Sequence, residues 1–235
     1  MPRNRGAAFF DVDGTLTTRT TLFRFLRHDL AARGFPARTF EEHRAQFREL
    51  TSVGVPRTVT SRRYFRLFAG RGAAELYRSG RQWFRAEWAD GGLFRPEAVA
   101  ALRRHARAGD RVVLVSGSFA VCLDPLAELL GADTVLCTGL EIRGGRFTGE
   151  VARPMLDRHK ARAVREFARD HRIDLAASHA YGDHSSDLPL LRQVGHPVAV
   201  GTDPALAAAA TAGCWARLAP TAPPEPDLRR SGEER

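Results

Sequence analysis

Two aspartates one residue apart, Asp11 and Asp13, close the apolar run Ala7-Ala8-Phe9-Phe10 and lead into Gly14-Thr15. In an extended strand, residues i and i+2 face the same side, so both carboxylates point together where the chain turns at Gly14. Like charges held that close are costly unless a cation or a shared proton lies between them, which anticipates a divalent metal or an acid/base pair. Asp-x-Asp-Gly also opens calcium loops. Here the apolar run precedes the acids and no spaced acidic ligands follow, unlike an EF-hand. A second signal is compositional: Lys160 is the one lysine among 36 basic residues. A compact ammonium and a planar guanidinium are not interchangeable, so a lysine retained in an arginine-rich chain points to a site that needs a small point charge. Two further loops carry suitable groups: Ser116-Gly117-Ser118 after an apolar run, and Gly182-Asp183-His184-Ser185-Ser186-Asp187.

Positioning these groups requires a sheet. Beyond Thr15, apolar residues recur at helical spacing, as in Leu22, Phe25 and Leu26, then Tyr64, Phe65 and Phe68, then Leu76, Trp83 and Phe84. These predict several amphipathic helices forming one insert that ends at Asp90-Gly91-Gly92, with enough aromatic residues to hold a core of its own. From Arg95 helices and strands alternate. A helix over Pro96–Ala108 precedes a strand from Arg111 ending at Ser116; a helix over Phe119–Leu130 precedes a short strand, Thr134–Cys137, and a hairpin over Leu140–Gly149. Lys160 opens a helix ending near His171, and strands over Ser178–Tyr181 and Pro197–Val200 precede an Ala-rich helix capped at Thr202-Asp203-Pro204. Such alternation predicts an α/β fold, a three-layer Rossmann-like parallel sheet with an inserted helical cap and a small β-hairpin. Ligands in these sheets sit beyond the carboxyl ends of the strands, which brings Asp11, Ser116 and Asp183 to one rim. The expected division is a core from 1–15 and 94–218, a cap from 16–93, and a disordered Pro-rich tail from 219–235.

Composition narrows the function classes. With 43% hydrophobic residues in 235, the chain is an ordinary globular protein. Its first apolar run is too short for a signal peptide and no stretch spans a bilayer, so a cytoplasmic location and no integral membrane segment are expected. Cys122, Cys137 and Cys214 lack a Cys-x-x-Cys spacing, which argues against a disulfide framework or a zinc site. The formal charge of +9 is concentrated in 16–93, which holds 15 arginines against 7 acids. Such a surplus suits an anionic substrate, an anionic membrane surface or nucleic acid, and also an ordinary solvated face.

The four motifs in this order resemble the haloacid dehalogenase-like hydrolases, subfamily IB, and more closely the branch related to phosphoserine phosphatase, whose helical cap follows the first motif. The resemblance covers roughly Ala7 to Trp215. It implies a magnesium-dependent phosphatase acting on a small-molecule phosphomonoester, with no nucleic-acid partner. Asp11 would attack phosphorus and form an aspartyl-phosphate, and Asp13 would serve as acid and base. Magnesium would be held by Asp11, the backbone carbonyl of Asp13 and Asp183, with Asp187 supporting from one layer back. Thr15, Ser116, Gly117 and Lys160 would bind the phosphoryl group. A phosphotransferase or phosphomutase would use the same intermediate, and a non-catalytic anionic-surface binder would not need it. Relatives in that branch present a carboxylate just after the first motif to read an amino group, whereas Leu16–His28 contains no acid. The arginines and aromatic residues of the cap point instead to a substrate with extra negative charge or an apolar portion, with Arg62, Arg63 and Tyr64 as candidate contacts.

Overall fold

Short runs of Val, Leu, Phe and Ala, apolar on both faces, are the pattern of strands covered by helices on each side. The computed structural model describes residues 6–218 and builds these runs into one seven-stranded sheet. The strands are β1 (Ala7–Phe10), β2 (Arg111–Phe119), β3 (Thr134–Arg143), β4 (Arg146–Arg153), β5 (His179–Gly182), β6 (His196–Val200) and β7 (Ala216–Leu218). Their order is β4-β3-β2-β1-β5-β6-β7, and every pairing is parallel except β3 with β4. The expected tail, 219–235, lies outside the described residues.

Helices α1 (Thr21–Ala32), α2 (Ala37–Ser52), α3 (Arg57–Arg66) and α4 (Ala73–Asp90) lie between β1 and α5 (Pro96–Ala108). Next come α6 (Ala120–Leu130), α7 (Arg158–His171), the short α8 (Leu188–Leu191) and α9 (Pro204–Ala212), the last capped by the Asp203 carboxylate accepting from the Leu206 amide at 2.8 Å. No helix among the described residues is long and apolar enough to cross a membrane.

The two sides of β1 divide the interior. Phe9 joins Val113, Val164 and Phe167 on one face; Phe10 joins Leu114 and Leu102 on the other and stacks on Tyr181 at 4.2 Å. The four-helix insert does not close a core by itself. Phe25, Phe65 and Phe68 pack around Phe119 of β2, with ring centroids 5.7, 5.3 and 5.6 Å away, and belong to the same cluster as Val112 and Leu114. Their aromatic area is spent against the sheet.

Two expected boundaries move. β2 does not stop at Ser116 but continues to Phe119: Ser116 pairs with Cys137 and Phe119 with Thr138, so Gly117 and Ser118 form a bulge. The short strand and the first arm of the hairpin are one continuous β3, turning into β4 at Gly144-Gly145, where both φ angles are positive. β7 had no strand signature in its three residues, Ala-Arg-Leu; it forms because β6 offers an edge to pair with.

Because Phe119 joins the insert to the sheet, Phe119→Ala is expected to lower unfolding stability by about 3–5 kcal/mol, read from urea titration. Tryptophan fluorescence, from Trp83 and Trp88 of the insert and Trp215 beside the sheet, and backbone dichroism should still report one transition; two separated transitions would contradict the shared core.

Candidate active site

β1 is the point where the strand order reverses, with β2 on one side and β5 on the other, and its carboxyl end opens a crevice between them. Asp11 is the first residue past β1, and its amide donates to the Tyr181 carbonyl at 2.9 Å, fixing it between the two neighbours. Asp183 is the first residue past β5, and Asp187 closes a single 3₁₀ turn, Ser185–Asp187, whose backbone is tied by the Asp187 amide to the His184 carbonyl at 2.8 Å. Lys160 enters from the first turn of α7.

These groups meet. The Lys160 ammonium, buried, donates to Asp11 Oδ1 at 2.5 Å and to Asp187 Oδ1 at 2.7 Å. Oxygens from Asp11, Asp183 and Asp187 all lie within 4.8 Å of one another. Thr15 is buried, and its hydroxyl donates to Asp183 Oδ1 at 2.9 Å. Backbone packing at this rim is tight: Gly14 has φ of +93°, and a Cβ there would lie 2.1 Å from Asp183 Oδ2. Only glycine allows the carboxylate to approach so closely.

Asp13 takes a different environment. Its Oδ1 accepts from the Thr21 amide at 2.8 Å, satisfying one of the free N–H groups at the start of α1. Thr20 provides no side-chain cap, so the carboxylate does this from the preceding loop. Thr21 in turn donates its hydroxyl to Ser118 Oγ at 2.9 Å, and the Ser118 amide donates to Ser116 Oγ at 3.1 Å. The bulge in β2 is therefore linked to Asp13 through Thr21, and it holds Ser116 and Gly117 at the crevice.

Charge and burial compete here. Burial raises the pKa of Asp11 well above the ordinary value; Lys160 opposes, while Asp187 and Asp183 raise it further. Burial raises Asp13 to about 6, against the Thr21 hydrogen bond. Asp183 is also raised, by burial first and with Asp187 adding, while the Thr15 hydrogen bond lowers it. For Lys160 burial works against the charge, but Asp11 and Asp187 outweigh it and hold its pKa above the ordinary lysine value. The acids outnumber the ammonium, and every donor is an oxygen. Such a set fits a hard divalent cation, whose charge would offset the mutual repulsion that raises Asp11 and Asp183.

Above this floor lies a cavity of about 800 Å³. Its lining includes Asp11, Asp13, Ser116, Gly117, Lys160, Asp183 and Asp187, so most of the sequence-derived candidates converge. Three do not behave as expected. Thr15 is absent from the lining because its hydroxyl is turned to the carboxylates. Arg62 and Arg63 are exposed and outside the lining. The face of α3 that reaches the cavity is Arg57, Thr60, Ser61 and Tyr64, one helical stripe, and Arg62 and Arg63 are rotated away from it. Tyr64 does line the cavity, but it is buried and its hydroxyl donates to the Leu22 carbonyl at 2.5 Å. Sequence reasoning missed Arg44, Arg48 and Arg57, whose spacing on α2 and α3 was the available signal, and it missed Thr21, for which a backbone amide leaves none.

The family described as haloacid dehalogenase-like hydrolase matches residues 8–192. The chain belongs to that family. A probable phosphatase of Mycobacterium tuberculosis is 32% identical over 219 residues, covering 91% of this chain and 75% of the relative. The inhibition of morphological differentiation protein of Streptomyces azureus is 42% identical over 120 residues, and the match spans 51% of this chain but only 43% of that protein. Among solved structures, a Bordetella pertussis protein of unknown function aligns with a TM-score of 0.83 and 25% identity, covering 93% of this chain and all of that one. A phosphoserine phosphatase with a phospho-aspartyl intermediate analogue shares the fold, with a TM-score of 0.65 and 20% identity over 88% of this chain and 91% of that one.

Removing the ammonium leaves two buried carboxylates without their partner. Lys160→Met is expected to destabilise the protein by about 3–5 kcal/mol near neutral pH, measured by denaturant titration; unchanged stability would show that the ion cluster is not held as described.

Proposed function

We propose that the chain is a magnesium-dependent phosphatase that hydrolyses a small-molecule phosphomonoester through an aspartyl-phosphate on Asp11. The observation that carries this reading is the Lys160 ammonium bridging Asp11 and Asp187, at 2.5 and 2.7 Å, at the base of a cavity that also exposes Asp13, Ser116, Gly117 and Asp183. One small cation fixed against a carboxylate nucleophile, with hydroxyl and amide groups nearby, is what an incoming phosphoryl group needs.

Asp11 Oδ attacks phosphorus in line, and the bond from phosphorus to the ester oxygen breaks as the aspartyl-phosphate forms. Asp13, with a pKa raised to about 6 by burial, gives its proton to the departing oxygen. Water then attacks the same phosphorus and loses a proton to Asp13, releasing inorganic phosphate and restoring Asp11. Ser116 Oγ and the Gly117 amide hold the non-bridging oxygens, and Lys160 stabilises their charge together with that of Asp11. Thr15 keeps Asp183 aimed at the crevice through its hydrogen bond. Asp11, the Asp13 carbonyl and Asp183 would hold magnesium, with Asp187 behind them, and the ion would supply Lewis-acid charge to the phosphoryl group. In this reading 16–93 serves as the cap over a core formed by 1–15 and 94–218.

A phosphate-release assay over a panel of phosphomonoesters tests this directly. Asp11→Asn should lower turnover by at least about a thousandfold, and Lys160→Arg by at least about tenfold despite keeping its charge; near-native rates in either variant would remove the assigned role. Chelation of divalent ions should abolish turnover and added magnesium should restore it. Full activity in excess chelator would exclude the metal assignment.

A further inference from the structure

The upper part of the cavity takes no part in phosphoryl transfer, yet its lining is sharply sorted. On α2 the residues Arg44, Phe47, Arg48 and Thr51 form one stripe at i, i+3, i+4 and i+7; on α3 Arg57, Thr60, Ser61 and Tyr64 repeat that spacing. Beneath the arginines, Phe23, Phe47 and Tyr64 form a three-ring group with centroids 5.6, 5.9 and 6.1 Å apart, joined in the lining by Leu22 and Leu156. Among the described residues the Arg44 and Arg48 side chains have no hydrogen bond or ion pair, and both residues are exposed. Arg57 has one ion-pair contact, Asp157 at 4.0 Å. Asp157 is the one acid in the lining apart from the four at the floor, so three guanidinium groups face a single carboxylate.

Building on the phosphatase reading, we propose that Arg44, Arg48 and Arg57 form a second anion subsite, and that the substrate is a phosphomonoester with an apolar middle and a second oxyanion at its far end. The phosphoryl group sits at Lys160, the apolar portion lies along Phe23, Phe47 and Tyr64, and the distal carboxylate or phosphate meets the planar guanidinium forks. An amino group in that position finds repulsion instead. Selectivity thus lies with a surplus of positive charge at the mouth, where Leu16–His28 supplies no acid to reverse it.

Four compounds separate the possibilities: hexyl phosphate, its ω-carboxy analogue, hexanediol bisphosphate, and ω-aminohexyl phosphate, each with magnesium. The expected result is a kcat/KM for one or both anionic-tailed compounds about tenfold or more above that for hexyl phosphate, with the ω-amino compound lowest. The carboxy and bisphosphate arms show which oxyanion is preferred. In the double variant Arg44→Ala and Arg48→Ala the preference should fall toward unity, and Arg44→Lys with Arg48→Lys should retain part of it. Raised salt should also shrink it. Equal rates for all four compounds, a preference for the amino tail, or an undiminished preference in the alanine variant would overturn the subsite. If the unaltered protein releases phosphate from other phosphomonoesters but from none of these four, the subsite is overturned while the phosphatase reading stands; if it releases none from any phosphomonoester, the phosphatase reading falls, and calorimetric affinities of the same unhydrolysed compounds for both proteins then decide the subsite by the same ratio.

Discussion

A buried ammonium held by two carboxylates governs this molecule. Taking Lys160, Asp11 and Asp187 out of water costs several kcal/mol for each ion, and only close geometry offsets it. Hydrogen bonds of 2.5 and 2.7 Å supply that geometry, but Asp183 adds further negative charge nearby. A protein selected for stability alone would do better with apolar side chains at these positions. The cluster is therefore read as a site kept for its affinity for added charge, a cation toward the carboxylates and a phosphoryl anion toward the ammonium.

The sheet is arranged to make this cluster. Asp11 and Asp183 follow directly on neighbouring strands, so their separation is set by the spacing between β1 and β5. Lys160 and Asp187 come from connections packed on one side of the sheet, whereas the insert approaches from the other side through Phe119. The bulge at Gly117-Ser118 joins the two halves: it shapes the wall at Ser116, and through Ser118 and Thr21 it sets where α1 begins. Packing of the insert and placement of Asp13 thus share one short segment.

Residues whose chemistry demands a particular type are legible in the sequence itself. Asp11, Asp13, Asp183 and Lys160 stood out as acids at strand ends and one lysine among arginines, and Asp187 through the family resemblance. The parallel sheet and its rim followed from alternation of helices and strands. What could not be read was rotation and reach. Arg62 and Arg63 were the arginines singled out on that helix, but whether a helical residue faces a cavity depends on how the whole helix is turned, which Tyr64 and Phe65 settle by packing inward. Thr15 was expected on the phosphate, and its short side chain is instead within reach of Asp183. The aromatic residues of the insert were countable, but their partner across the interface, Phe119, lies about a hundred positions from Leu22 in sequence. Three-residue β7 depends wholly on a neighbour.

The central claim is that Asp11 carries the phosphoryl group covalently. Its most direct measurement is acid quenching of the protein during turnover of a labelled phosphomonoester, followed by peptide mapping. Label on the peptide containing Asp11, stable in acid and released by hydroxylamine as an acyl phosphate should be, is the expected result. Turnover with no label on the protein, or label on a different residue, would contradict it.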